Sequence, residues 1–222
     1  MSAQSRAPLL QALFKKGKLE HFARAEAIGS TEDNNTISLI LNGYIKRYMI
    51  RNDGTLGVQI IYGPEDVFSL TGIFRLLFGQ SLYDGPETYY YSAVCDATVL
   101  SLAPDAFIAE VQSNPLLYKE LLGEAGHHLH ACVHSIENMS IHSVGARVAH
   151  QLSYLFTEFG KRNQRSTRLD LALTHQDLAD ILGVTRASVT LAIGQLRKKE
   201  LLLPARNLAT PDLQALSKEA YS

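Results

Sequence analysis

Apolar and polar positions change their period along this chain, and the changes divide it into three textures. Between Phe22 and Leu102 apolar residues come in short β-type runs broken by turn residues, without a helical period. Ile37, Leu39 and Leu41 alternate up to Asn42-Gly43, Tyr44 to Ile50 runs to the hairpin signal Asn52-Asp53-Gly54, and Val58 to Tyr62 leads to the turn Gly63-Pro64-Glu65-Asp66. Val67 to Leu70, Tyr89 to Val94 and Thr98 to Leu102 complete a series whose regular spacing predicts a barrel or roll. Ahead of it, a short apolar helical run after Pro8 ends near Phe14, and Lys15, Lys16 and Lys18 make a basic patch best read as a solvated face. Within it, Thr71 to Pro86 carries the cluster Ile73, Phe74, Leu76, Leu77 and Phe78, which suits a pocket wall or a core plug equally well.

After Leu102 the period lengthens. Pro104-Asp105 opens a short helix to Val111, and Asn114-Pro115 opens a long one to about His142. On the long helix Leu122, Ala125, Leu129, Cys132, Ile136 and Met139 recur at alternating spacings of three and four, the a/d seam of a coiled coil. Such a seam predicts a parallel dimer, and the competing reading packs the same stripe on the β-domain. Ser143 can cap the next helix, through Val148, Leu152 and Phe156 to near Gly160, and is a hinge candidate. Lys161 to Arg168 reads as a polar connector and Leu169 to Leu173 as a short strand.

The third texture is a pair of short helices. Thr174, with Asp177 three residues on in a weaker relative of the capping box, caps a first helix whose apolar face is Leu178, Ala179, Ile181 and Leu182. Gly183 breaks it. Thr185 caps a second helix in which Val189, Ile193 and Leu196 form one face and leave Arg186, Ser188, Thr190 and Arg197 on others. A small Ala179, a glycine turn and Val189 let the two helices cross closely, which predicts a helix-turn-helix reading DNA; an ordinary helical hairpin is the bland alternative. Leu201 to Pro204 and Leu208-Ala209, with Arg206-Asn207 at the tip, resemble a wing, and Thr210-Pro211-Asp212 opens a final helix with Pro at its first position.

Charge supports this division. The whole chain is near neutral at −1, yet residues 1–142 hold 10 Lys and Arg against 15 Asp and Glu, and residues 143–222 hold 11 against 7. The basic excess sits with the helix pair, as phosphate binding requires. A hydrophobic content of 46% and a charged content of 19% describe a globular protein with one or two cores. Two cysteines cannot supply a disulfide framework, the N-terminus lacks the apolar core of a signal peptide, and no apolar run approaches the ~20 residues needed to span a bilayer. A cytoplasmic protein is expected. No phosphate-cradling glycine loop, nucleophile elbow or metalloprotease helix motif is present, since Gly29-Ser30-Thr31 and the Gly123–Gly126 stretch lack the context, so an enzyme is not expected.

The order β-roll, long helix, winged helix pair resembles the CRP/FNR family of bacterial transcription regulators over nearly the whole chain. Leu173 to Leu202 carries the resemblance most specifically, with Leu41-Asn42-Gly43-Tyr44-Ile45 and Gly145-Ala146-Arg147-Val148-Ala149 in support. It implies an α+β fold: a cyclic-nucleotide-binding-like β-roll sensor over 1–114, a dimerisation helix over 115–142 and a winged helix-turn-helix over 143–222. It further implies a homodimer on an imperfect palindrome, with each second helix in a major groove about 34 Å from its mate, and RNA polymerase as a further partner. The candidate DNA-contacting residues are Thr174, His175, Thr185, Arg186, Ala187, Ser188, Thr190, Leu191 and Arg197. Two depart from the well-studied branch: Ala187 stands where a Glu often reads cytosine, and Leu191 where a second Arg often reads guanine. A sensor or scaffold that uses its C-terminal domain for protein contacts is the alternative function.

The resemblance also says what the sensor lacks. The Gly-Glu and Arg-Ser/Thr pairs of cyclic-nucleotide members fall on Ser69-Leu70 and Glu87-Thr88, and the polar pair of the long helix on Cys132-Val133. A phosphate beside Glu87 would meet like charge, so tight cyclic-nucleotide binding is not expected. An iron–sulfur cluster needs four cysteines in the oxygen-sensing branch. Phe74, Phe78, Tyr83, Tyr89, Tyr90 and Tyr91 leave room for a small aromatic or apolar effector or for none, with Phe74, Tyr89, Tyr91, His128 and Cys132 as the candidate pocket. His127, His128, His130, His134 and His142 cluster on or near the long helix, and His130 and His134 have i,i+4 spacing that could ligate a metal. Heptad positions place them mostly off the seam, so solvated or β-roll-packed histidines are expected, with no metal or cofactor; a metal, haem or pH sensor is the sharper alternative. Cys132 at a d position is read as a small core residue, with a redox bridge between two copies as the alternative.

Overall fold

The computed structural model describes residues 7–30, 36–70, 88–205 and 207–221. The apolar cluster within 71–86, including Phe74, together with Glu87 and Arg206, lies outside the described residues. The chain divides into two compact units, 1–49 with 60–130 and 50–59 with 131–222.

Among the described residues α1 (Pro8–Phe14) precedes eight strands: β1 (Lys18–Phe22), β2 (Ala27–Ser30), β3 (Ile37–Asn42), β4 (Ile45–Ile50), β5 (Leu56–Tyr62), β6 (Val67–Phe68), β7 (Tyr90–Ala93) and β8 (Ala97–Leu102). They form two four-stranded sheets, ordered β1-β8-β3-β6 and β2-β7-β4-β5, in which every neighbouring pair except the β4–β5 hairpin is non-consecutive in sequence, as in a roll. Gly43 makes the turn between β3 and β4 at φ +86, and a Cβ there would lie 2.4 Å from the Asp96 carbonyl oxygen, so only glycine fits. The β4–β5 turn closes where Asp53 Oδ1 accepts from the Thr55 amide at 2.9 Å. Then come α2 (Pro104–Ser113) and the long α3 (Pro115–Ser140), which ends two residues before the expected His142. Ile37, Leu39, Val67, Leu102, Phe107, Val111, Leu117 and Leu121 join Leu10, Leu13 and Phe14 of α1 in one core. Glu120 of α3 accepts from the amides of Leu9 and Leu10 at 3.1 and 2.8 Å and so supplies the missing cap of α1.

In the second unit Ser143 caps α4 (Val144–Phe159) by accepting from the Ala146 amide, as expected. The basic connector 161–168 proves to be a hairpin: β9 (Gly160–Arg162) pairs with β10 (Thr167–Leu169), because Asn163 Oδ1 accepts from the amides of Arg165 and Ser166, both at 2.9 Å, and folds the chain back. The expected strand over Leu169 to Leu173 therefore sits earlier and stops at Leu169, where the Leu173 amide donates to the Leu171 carbonyl and curls the chain. α5 (His175–Leu182) and α6 (Arg186–Lys198) follow. In the wing only β11 (Ala209–Thr210) is a strand among the described residues; it pairs with β10, and the Leu203 amide reaches the Ala209 carbonyl at 2.8 Å. The last helix, α7 (Leu213–Glu219), starts later than expected. Asp212 rather than Thr210 is its cap, accepting from the amides of Gln214 and Ala215, so Pro211 precedes the helix instead of opening it.

Candidate nucleic-acid interface

The helix pair is built from its caps outward. Thr174 Oγ1 accepts from the Asp177 amide at 3.1 Å and the Asp177 carboxylate accepts from the Thr174 amide at 2.8 Å, a closed capping box with Asp in the Glu position. Gly183 ends α5 in the left-handed region at φ 63, and its amide donates to the Ala179 carbonyl. Thr185 then accepts from the Ser188 amide at 3.1 Å and starts α6. Val189, Ala192, Ile193 and Leu196 are at most 3% exposed, and Leu178, Ala179 and Leu182 of α5 at most 4%, so these apolar faces are spent on the core.

What α6 leaves outside is the set expected to face DNA. Arg186, Ala187, Thr190, Leu191 and Arg197 are exposed, with Leu191 at 70%, a large apolar group with nothing to bury it within the chain. Ser188 is half-buried and its hydroxyl lies 2.9 Å from Thr185 Oγ1, so this pair belongs to the cap at the positive end of α6. Thr190 donates to the Arg186 carbonyl at 2.9 Å, and His175 Nδ1 stands 2.8 Å from the same hydroxyl oxygen. Since the hydroxyl proton is used on Arg186, His175 Nδ1 carries the hydrogen and Nε2 is the acceptor. Burial and then the charges of Arg197 and Arg186 lower the His175 pKa, so the ring is neutral at pH 7. One small surface thus presents two guanidinium groups, a neutral imidazole and an exposed leucine, which suits phosphates, a purine edge and a thymine methyl.

The remaining sequence-derived sets divide. Leu122, Leu129, Ile136 and Met139 are 74%, 64%, 67% and 72% exposed, Cys132 is exposed and Ala125 half-buried. The stripe therefore does not pack on the β-domain, because α3 buries a different face, with Leu117, Leu121 and Glu124 in the first unit and Ala131, His134 and Asn138 in the second. Cys132 is accordingly not a core residue of the chain. Of the candidate effector residues, Tyr91 is buried among aromatic rings, 6.5 Å from Tyr62 and 5.4 Å from Phe68, and His128 meets the Tyr62 ring edge-on at 5.1 Å. Tyr89 instead lies under the Arg47 guanidinium at 4.3 Å, and Cys132 shares the exposed stripe rather than this cluster. Arg47 and Tyr62 went unnoticed in the sequence, where an alternating strand offers no sign of which side chains meet. Nor did it reveal Arg147, which donates from Nε to Asn138 Oδ1 at 3.1 Å and from Nη2 to the Leu182 carbonyl, tying the ends of α3 and α5 to α4.

Residues 146–219 match the model of the Crp-like helix-turn-helix domain. Over 213 residues, 95% of this chain and 92% of the relative, the chain is 23% identical to the CRP-like cAMP-activated global transcriptional regulator of Mycobacterium tuberculosis. Along nearly its whole length the chain is thus similar to CRP-like transcription regulators, with a Crp-like helix-turn-helix domain at its C-terminal end. It is also 27% identical over 167 residues to the global nitrogen regulator of Nostoc sp., covering 75% of this chain and 72% of that one. The structure of a CooA mutant from Carboxydothermus hydrogenoformans shares the fold with a TM-score of 0.74 at 16% identity, over 99% of this chain and 97% of that chain. These similarities support a DNA-binding transcription regulator rather than an enzyme. No helix among the described residues is long and apolar enough to cross a membrane.

Proposed function

We propose that this protein is a cytoplasmic, homodimeric CRP/FNR regulator that reads an imperfect palindrome with α6 and does so without tight cyclic-nucleotide binding. The division of labour follows the sequence, with a sensor over 1–114, a dimer helix over 115–142 and a DNA reader over 143–222, and RNA polymerase is a further partner. The observation that carries the reading is the stripe on α3: Leu122, Leu129, Ile136 and Met139 are all more than 60% exposed at a/d spacing, a seam for a second copy. Two copies of α6 then face two half-sites. Random-library selection of bound duplexes is expected to return a twofold-symmetric consensus, and its affinity should fall steeply with salt. Recovery of no consensus, or binding indifferent to salt, would favour the scaffold reading.

One curated relative is named as cAMP-activated, and this chain's residues argue against the same effector. Where a ribose-binding carboxylate would stand, Leu70 is 4% exposed and apolar, and beside it Ser69 is 5% exposed. Cys132, in the place of the polar helix residue, is an exposed thiol. Calorimetry with cAMP and with cGMP is expected to give no sub-micromolar binding. The aromatic set around Tyr62, Tyr91 and His128 favours an apolar or aromatic effector if the protein has one; Tyr62 is held neutral there, since burial pushes its hydroxyl pKa up.

A further inference from the structure

Where α3 ends and α4 begins, three metal-ligating side chains converge. His134 and Glu137 lie three residues apart on one face of α3, and His150 comes from α4. Their donor atoms all lie within 4.8 Å of one another. His134 and His150 are each 7% exposed while Glu137 is exposed, so the set has a dry side of two imidazoles and an open side of one carboxylate. Burial lowers the pKa of His150, with the Glu137 charge acting in the opposite direction, and the neutral imidazole is the form that ligates.

We propose that His134, Glu137 and His150 bind one divalent transition-metal ion of the zinc class per chain, with a water completing the set at the exposed edge. Two imidazoles and a carboxylate suit Zn²⁺, Co²⁺ or Ni²⁺, whereas a lone carboxylate is a poor site for Mg²⁺ or Ca²⁺. The donor set differs from the i,i+4 pair legible in the sequence, because His130 is exposed and stands outside the group.

The geometry also couples the ion to the DNA reader. The His134 ring stacks on His150 at 4.2 Å with 7° between planes, and on Tyr154 at 4.1 Å with 15°. Parallel rings direct their in-plane lone pairs in parallel, so no ion can sit ~2.0–2.1 Å from both without one ring turning. Ligation and the stack are therefore alternatives. His150 Nδ1 lies 3.3 Å from Asn138 Nδ2, Asn138 Oδ1 accepts from Arg147, and Arg147 reaches the Leu182 carbonyl at the end of α5. An ion that turns His150 acts on the first link of that chain of hydrogen bonds.

The test uses untagged full-length protein stripped with a chelator. Co²⁺ is titrated and followed by its visible absorption, and Zn²⁺ affinity is measured by competition with a chromogenic chelator. One Co²⁺ per chain is expected, and Glu137→Gln, an exposed change that leaves the fold intact, should weaken binding more than about tenfold. His134→Gln and His150→Gln should do the same, whereas His130→Gln and His142→Gln should change nothing. Binding that survives Glu137→Gln at full affinity, that follows His130, or that is absent at micromolar ion overturns the site.

Discussion

Replacing Leu129 with aspartate is expected to turn the proposed dimer into a folded monomer and to abolish tight binding to the proposed palindrome. Leu129 is 64% exposed within its own chain, so the substitution removes little that the protomer uses, and the far-ultraviolet circular dichroism spectrum should be unchanged. Across a parallel seam an a position meets its own copy. Two leucines lose their burial, about 1.5–3 kcal/mol each, and two carboxylates face one another instead. A loss of about 3–6 kcal/mol raises the dimer dissociation constant by roughly 10²–10⁴. Sedimentation reads the oligomer and a gel shift on whole and half sites reads the consequence: the variant should bind the whole site no better than a half-site. A Leu129→Asp protein that remains dimeric would place the interface elsewhere than on the α3 stripe.

Arg186→Ala carries the second large effect, because it removes the one long hydrogen-bonding side chain at the exposed start of α6. A guanidinium that pairs with a guanine edge contributes about 1–3 kcal/mol per half-site and discriminates one base pair. The variant should therefore weaken binding and at the same time become tolerant at one position of each half-site. Arg197→Ala serves as the contrast. It lies in the last turn of the same helix, and loss of a phosphate contact there should weaken all sequences about equally and lower the salt slope by about one. A binding titration in which Arg186→Ala loses nothing on the preferred site would exclude its base-reading role.

Leu191 sharpens the same point. An exposed leucine cannot form a bidentate hydrogen bond, so the position that often reads guanine in relatives can at most favour a thymine methyl here. The preferred site is therefore expected to be this protein's own, and with Ala187 also apolar most hydrogen-bonding discrimination is expected to fall to Arg186.

The parts of this molecule legible in the chain are those in which neighbours in sequence are neighbours in space. Thr174 with Asp177, Gly183, Thr185 and the buried row Val189, Ile193, Leu196 define α5, the turn and α6 through contacts no more than a few residues long. The same holds for the a/d spacing of α3 and for the Asn52-Asp53-Gly54 turn. The small strands of the wing were harder to read, because β9 and β10 owe their pairing to one asparagine side chain in a polar stretch with no alternating pattern. Pro211 misled for a related reason: a good first-turn residue lies next to a better cap, and Asp212 holds two amides that proline cannot.

By itself, then, the sequence determined the order of elements, the pair of short helices about Gly183 and the existence of an apolar stripe, since each follows from periodicity and local hydrogen bonding. Tertiary structure alone decided which face of α3 the chain spends on itself. Leu117, Leu121 and Ala131 compete with Leu122, Leu129 and Ile136 for burial, and periodicity cannot rank two apolar faces of one helix. It alone also brought His134 against His150, two side chains on different helices whose meeting depends on how α3 and α4 pack. Such contacts depend on packing between elements, which composition and spacing along one element do not encode.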